Sequence, residues 1–415
     1  MKKRLWMIPV PVVLCFGAMM PAHAEDGGSG KAGFKKKSGD FAGPQSTVKQ
    51  LEEDDALKEP LFRFDWFDPA LKPWFDLKGA FAEKSNISIG LAYTALYQES
   101  DVAPDGVDDV GASGIVRLSG RWAATDTGTL VFSGDHRHAY DEQAPADLGF
   151  AVGYLGIPGT LFSDAEEVLV DFHWQQGLND GDSGIILGRY DPNDFFDVLG
   201  YANPWTSFQN LAVLFNSSIA LPDASIGVGG GHWLNDQMYV LGTINDANGV
   251  VTETDAFEGG SEFYKAIELG WTPAKDQRYF NKIHVMGWHA DEREDAGLEE
   301  SYGFTVSANR TWDQRCMVFG KIGWSDGAAP LANESVTLGF MHYVKKRSDL
   351  LGLAVNWSDP ADDSLKDQTV GELFYRLQFA QNLALTPSVQ FVQDPALNED
   401  EDQIVITSVR ARLTL

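Results

Sequence analysis

From residue 87 to residue 415, apolar side chains fall on every second position in successive runs of roughly ten residues. Period two is the strand period, because successive side chains point to opposite faces. Each strand therefore has one apolar face and one bearing Arg, Asp, Glu, His and Gln. A soluble sandwich turns the apolar face inward to make a core. An outer-membrane barrel turns it outward to lipid and lines a wet lumen with the polar face. The choice decides function, because a polar lumen is a channel.

Residues 1–24 carry the three parts of a secretory signal peptide. Lys2, Lys3 and Arg4 form the charged start, residues 5–20 the apolar middle, and Ala22-His23-Ala24 a site that predicts cleavage before Glu25. Pro9, Pro11 and Gly17 interrupt the run, which argues against a membrane helix. Leu14 stands where a lipoprotein site before Cys15 needs a small residue. No later stretch reaches ~18 consecutive apolar residues, so a membrane form of this chain has to be a barrel.

The formal charge is −28, and loss of Lys2, Lys3 and Arg4 takes it to about −31. A chain this acidic does not suit nucleic acid. The acids concentrate at 101–109, 291–300 and 398–402, which are expected as outer loops. Once the leader is removed Cys316 stands alone, so no intrachain disulfide is expected and strand hydrogen bonds must hold the exported fold. Cys316 reads as a small apolar residue opening a strand.

The periodicity predicts strands at 87–97, 114–123, 128–138, 167–176, 183–190, 225–234, 236–244, 262–272, 281–290, 301–310, 315–324, 334–344, 347–357, 369–379, 382–392 and 404–415. The expected fold is all-β: a transmembrane antiparallel β-barrel of about sixteen strands, wide enough for an aqueous channel. Its expected parts are a leader (1–24), a short N-terminal periplasmic extension (25–85) and the barrel (86–415). Within the extension, Lys35-Lys36-Lys37 reads as a solvated arm, 48–58 as a short acidic helix, and aromatic-rich 60–81 as a segment needing a packing surface at the mouth or in the lumen. Tight turns are expected at 310–313 and 345–346, and long loops at 140–166 and 191–224. In one strand, Val168, Val170, Phe172 and Trp174 are expected to oppose Leu169, Asp171, His173 and Gln175. Tyr97, Trp122, Tyr140, Trp174, Trp271, Tyr343 and Trp357 sit near strand ends, as interfacial girdles do.

The stretch GRYDPNDFFDVLGYANPWTSFQNLAVLFNSSIALPD (188–223) resembles a hallmark of the carbohydrate-selective, OprB-like porins. ISIGLAYTALYQ, GTLVFSGDHRHAYD, FHWQQGLNDGDSGIILGRYDP and QDPALNEDED before a closing Arg-x-Arg strand are similar to that family in the same order. The resemblance covers nearly all of 61–415. It implies a sixteen-stranded outer-membrane barrel of a Gram-negative cell that passes small sugars to the periplasm by diffusion. One departure is Leu415, where many such barrels end in Phe.

A sugar offers hydroxyls and apolar ring faces, so charged hydrogen-bonding groups beside an aromatic platform suit it. The expected pore-lining set is Arg117, Arg121, Asp135, Arg137, Asp171, His173, Arg189, Asp191 and Trp205. Further down the chain Glu268, Glu372, Arg376, Arg410 and Arg412 share the polar face. The competing reading is that these groups only brace the wall through cross-strand pairs. Pro192, Pro204 and Pro222 rule out a strand across 191–223, which reads as a loop folded into the barrel with Trp205 as its stacking ring, or as a loop packed on itself.

His136 and His138 are spaced to chelate, but share a face with Leu130 and Phe132 and read as interfacial. The Gly227, Gly229, Gly230 and Gly231 cluster lacks a following Lys and reads as relief of crowding, not a phosphate loop. No metal or cofactor is expected. The expected partners are small carbohydrates, outer-membrane lipid and lipopolysaccharide; monomer and homotrimer stay open. A general-diffusion porin is the main rival. A barrel enzyme is the lesser one, with no G-x-S-x-G in the chain.

Overall fold

The computed structural model describes residues 41–415 apart from 64–66, 221 and 254–261. The expected leader and the Lys35–Lys37 arm lie outside the described residues. Sixteen strands follow two N-terminal helices, α1 (Thr47–Asp54) and α2 (Phe67–Ser85). The strands are β1 (Ile87–Ser100), β2 (Val110–Ala123), β3 (Gly128–Ala139), β4 (Glu166–Leu178), β5 (Ser183–Tyr190), β6 (Ser225–Trp233), β7 (Met238–Asp246) and β8 (Phe263–Trp271). They continue as β9 (Asn281–Ala290), β10 (Ser301–Trp312), β11 (Cys316–Asp326), β12 (Ala332–Tyr343), β13 (Leu350–Pro360), β14 (Gln368–Ala380), β15 (Leu383–Gln393) and β16 (Gln403–Thr414). Each pairs antiparallel with its chain neighbours, and β1 closes the barrel on β16.

The faces are inverted relative to a soluble protein. Leu118, Phe172 and Ile267 are 51–59% exposed on the outer wall, while Glu268, Glu372 and Arg410 are at most 1% exposed inside. Alternation therefore serves a lipid-facing exterior and a polar interior. The connections sort by length. Those at 124–127, 179–182, 234–237, 313–315 and 381–382 are short and share an end with the start of β1 and the end of β16. The segments 140–165, 191–224 and 247–262 lie at the other end. In such barrels short turns are periplasmic and long loops extracellular.

Local departures from the expected pattern have physical causes. A β-bulge in the β3–β4 ladder, between Ser133 and Gly134, makes Ser133 pair with Asp171 but Gly134 with Leu169. The extra residue, Val170, shifts the alternation. Val168 therefore faces inward, opposite Asp135, and packs with Val170 and Ala224, away from Phe172 on the outer wall. Residues 310–312 continue β10, and the turn is 313–315. Tyr343 points inward onto Tyr201, 4.8 Å between ring centroids, and is not a girdle residue. His136 and His138 lie on the outer face, stacked at 5.4 Å, and no metal-holding cluster occurs among the described residues. Cys316 opens β11 with its Sγ 2.9 Å from His342 Nδ1.

The extension divides in two. Residues 41–55 are inside the barrel. Phe41 stacks on Trp233 at 6.0 Å and packs over Gly231, where a Cβ would come within 2.6 Å of the ring. That close approach explains glycine there. Helix α1 lies on the inner wall of β1–β3 with Leu51 over Gly90. Helix α2, with Pro73 in its interior, stays at the short-turn end and leaves Leu77 and Phe81 exposed instead of packed.

Candidate functional site in the barrel lumen

The expected site residues converge by register. Arg117 pairs with Asp135 and Ser133 with Asp171, so neighbouring strands stack their charges on one inner patch. Asp135 is held by Arg137 Nη2 at 2.9 Å and Arg117 Nε at 3.3 Å. Asp171 Oδ2 accepts from Ser133 Oγ and from Thr47 Oγ1 of α1, both at 2.7 Å, and His173 stands 3.4 Å from Oδ1. Arg189 donates to the carbonyls of Leu169 (2.6 Å) and Val250 (2.7 Å). Arg117, Asp135, Arg137, Asp171, His173 and Arg189 are all buried. Arg121 lies nearer the short turns and binds Glu52 of α1 at 3.0 Å. Asp191 caps the loop start by accepting from Asn193 N at 2.8 Å.

The 191–224 loop does fold into the lumen, and its aromatic residues peg it to different patches of wall. Phe195 meets Tyr190 at 5.5 Å. Phe208 meets Phe374 at 4.8 Å. Trp205 packs with Leu96, Ile115 and Phe162. Trp205 is only 2% exposed, with the guanidinium groups of Arg117 and Arg412 at 4.6 and 5.4 Å from its ring centre. The loop's aromatic rings are thus packed outside the loop, and Trp205 stacks against arginines rather than offering an open ring.

Two buried acids fix the loop. Asp197 accepts from Ser307 Oγ (2.5 Å), His284 Nε2 (2.8 Å) and Lys321 Nζ (3.2 Å). Burial alone would raise its carboxyl, but Lys321, His284 and Ser307 hold it well below the usual carboxylate range. Glu372 of β14 accepts from the backbone N–H groups of Gln209 and Asn210 at 2.9 Å each. Arg410 donates to the carbonyls of Pro204 and Ser207, 2.7 Å each. At the loop's start the charges oppose one another. Burial, with Asp223 and Asp171 nearby, pushes the Asp191 carboxyl up to about 6 against the hydrogen bonds from Asn193.

Between α1, the loop and the short turns lies a cavity of about 460 Å³. This is within the roughly 300–1,000 Å³ usual for small-molecule sites. Tyr201, Tyr279, Phe280 and Tyr343 supply aromatic lining, and Gln50, Arg347 and Arg376 supply polar groups. Tyr201 is 5.6 Å from Phe280 between centroids. Two buried polar atoms on cavity-lining residues have no hydrogen-bond partner among the described residues: Gln50 Oε1, an acceptor, and Arg376 Nη2, a donor. Gln50 Nε2 and Arg376 Nε are occupied by the carbonyls of Pro44 (2.9 Å) and Ser348 (3.0 Å), so both side chains are held in place. Aromatic rings beside an amide and two guanidinium groups can bind a polyhydroxylated ring. Sequence reasoning placed Arg376 on the lumen face but missed Gln50, Tyr279, Phe280 and Tyr343. Their only signal was a helix-forming acidic segment and aromatic residues near turns.

The comparisons with known proteins agree with this architecture. A model described as "Carbohydrate-selective porin, OprB family" matches residues 162–415. The high-pH structure of Pseudomonas putida OprB is similar with a TM-score of 0.67 and 12% identity, covering 82% of this chain and 97% of that one. The low-pH structure of the same protein gives 0.51 at 12% identity, covering 82% and 96%. Curated protein sequences gave no match. At such identity the structural likeness speaks for the fold alone. The closed barrel and the family indicate a channel rather than an enzyme, in the outer membrane of a Gram-negative cell. With its model matched over more than half the sequence, the chain belongs to the carbohydrate-selective porin, OprB family.

Proposed function

We propose that the chain lets small sugars diffuse passively and selectively toward the periplasm, with the cavity beneath the 191–224 loop as a contact site on the way. The supporting observation is a cavity that sets the polar side chains of Gln50, Arg347 and Arg376 beside Tyr201 and Tyr343. A channel must bind weakly enough to release, and a few polar contacts beside a ring face fit that requirement. In this reading Arg117, Asp135, Arg137, Asp171, His173 and Arg189 brace the wall and seat α1, while Arg121, Asp191 and Trp205 position α1 and the loop. Solute contact is the task of the cavity. The solutes are small carbohydrates, and the surrounding partners are outer-membrane lipid and lipopolysaccharide.

A general-diffusion porin would lack such contacts. The two are separated by conductance through planar bilayers. A sugar-selective pore shows saturable current block by a mono- or disaccharide, weakened about tenfold by Arg376→Met, the scale of one hydrogen bond to a charged group. Conductance that tracks salt alone, with no block by any sugar, rejects the proposal.

A further inference from the structure

Just before β1 the chain runs along the outer rim of the barrel at the short-turn end. The backbone N–H groups of Leu61 and Phe62 donate to the carbonyls of Gln378 (2.8 Å) and Phe379 (3.0 Å). The Phe62 ring packs on Phe379 at 5.0 Å between centroids. Phe379 is the extra residue of a bulge in the β14–β15 ladder, where Gln378 pairs with Ala384 but Ala380 with Leu383, and it lies beside Phe62, which is 47% exposed. After α2, Ala123 N donates to Asn86 O at 3.0 Å, and Ile87 pairs with Trp122, an exposed ring of the lipid-facing wall. Both flanks of α2 thus sit at the height of the lipid-facing wall's last residues.

Helix geometry sorts the residues of α2 around its one buried cation. Lys78 reaches Asp55 at 2.6 Å and the carbonyl of Leu415 at 3.3 Å, which turns that side toward the barrel. At about 100° per residue, Trp74, Leu77 and Phe81 share one flank of Lys78, with Lys84 at its edge. Asp76, Lys72 and Glu83 fall on the opposite flank, where Lys72 and Asp76 pair at 2.5 Å. Leu77 is 64% and Phe81 42% exposed, so the apolar flank has no cover among the described residues.

We infer that α2 lies in the headgroup–acyl boundary of the membrane leaflet at the short-turn end, with Leu77 and Phe81 turned to the acyl chains. The occupant of this face is phospholipid, because the helix runs directly into the lipid-facing wall at Ile87–Trp122, and the Phe62 ring that packs on Phe379 at the rim is itself 47% exposed. A helix with an apolar flank and a lysine at its border, here Lys84, binds that boundary, the lysine stem lying along the apolar surface and its ammonium group among phosphates. The contact would hold the rim segment that carries Asp55 and α1, tying the lumen insert to the membrane.

The test uses the full chain in phosphatidylcholine–phosphatidylglycerol vesicles, with Cys15 and Cys316 replaced by Ser. Single cysteines from Leu77→Cys, Phe81→Cys, Asp76→Cys and Glu83→Cys carry a polarity-sensitive fluorophore, and heat-modifiable gel mobility confirms that each variant is a folded barrel. Positions 77 and 81 should be quenched at least twofold by spin-labelled lipid and shielded from aqueous iodide. Positions 76 and 83 should show the reverse. Equal iodide access and no lipid quenching at all four positions overturns the inference. So does shielding at 77 and 81 without lipid quenching, which would mark a protein contact instead.

Discussion

Asp197→Asn is the sharpest perturbation of the loop that fills this barrel. The substitution keeps shape and one acceptor oxygen but removes the charge that faces Lys321 Nζ at 3.2 Å and His284 Nε2 at 2.8 Å. Lys321 is 2% exposed and would keep only the Leu214 carbonyl at 2.8 Å. Breaking one side of a buried pair costs about 3–5 kcal/mol, because the remaining charge is stranded. At about 1.4 kcal/mol per tenfold, the population of loops detached from the β8–β11 wall should rise by roughly 10²–10³. Limited chymotrypsin digestion of the reconstituted protein reads this, since Phe195, Phe196 and Tyr201 are buried cleavage sites. The variant should be cut within the loop while the barrel stays intact, and its open-channel conductance should rise. The double substitution Asp197→Asn with Lys321→Met removes both charges and should recover most of the protection. A single variant as resistant as the parent refutes the reasoning that this pair anchors the loop.

Four further outcomes follow. Asp191 has a folded pKa above its unfolded value, so its ionisation opposes folding at pH above about 6 and not below about 4. Asp191→Asn, which keeps the cap on Asn193, should therefore raise stability at pH 7 on the order of 1 kcal/mol after screening and leave it unchanged at pH 4, measured by thermal unfolding in detergent. Asp197 has the opposite sign. Its depressed carboxyl stabilises the loop above the unfolded value near 4, and protease protection should fall as pH drops below that. Trp205→Ala should lose about 3–5 kcal/mol of packing with Leu96, Ile115 and Phe162 and loosen Arg117 and Arg412, read as greater loop cleavage and noisier current. The long-loop end carries Asp101, Asp105, Asp108, Asp109, Glu299 and Glu300, whereas Lys345, Lys346 and Arg347 stand at the short turns. A sugar acid should therefore permeate more slowly than its neutral parent at low salt, with the difference vanishing at 1 M, where charges are screened beyond about 3 Å.

The wall was legible because its rule is local. A side chain's face follows from parity along one strand, so Arg117, Asp135, Asp171, Arg376 and Arg410 could be assigned to the lumen from sequence alone. Parity failed at Val168, because one bulge inverts every position beyond it and leaves no signature in residue type. It failed at Tyr343 because a Tyr near a strand end suits either a girdle or an inward platform. The filling of the lumen was not legible, because its contacts join residues far apart in sequence. Thr47 meets Asp171, Glu372 meets Asn210, and Arg278 donates to the Phe41 carbonyl at 2.8 Å. The prolines of 191–223 announced a loop, but only the partners of Asp197 and Glu372 reveal what it is fastened to. The cavity depends on all of these at once, so Gln50 carried no sign of its task in a short acidic helix.

The most direct measurement is the structure of the barrel soaked with a monosaccharide. The account predicts an ordered sugar in the cavity under the 191–224 loop, its hydroxyls bonded to the side chains of Arg376 and Gln50 and a ring face against Tyr201 or Tyr343. A sugar ordered elsewhere in the lumen, with Gln50 and Arg376 left without contact, would contradict it.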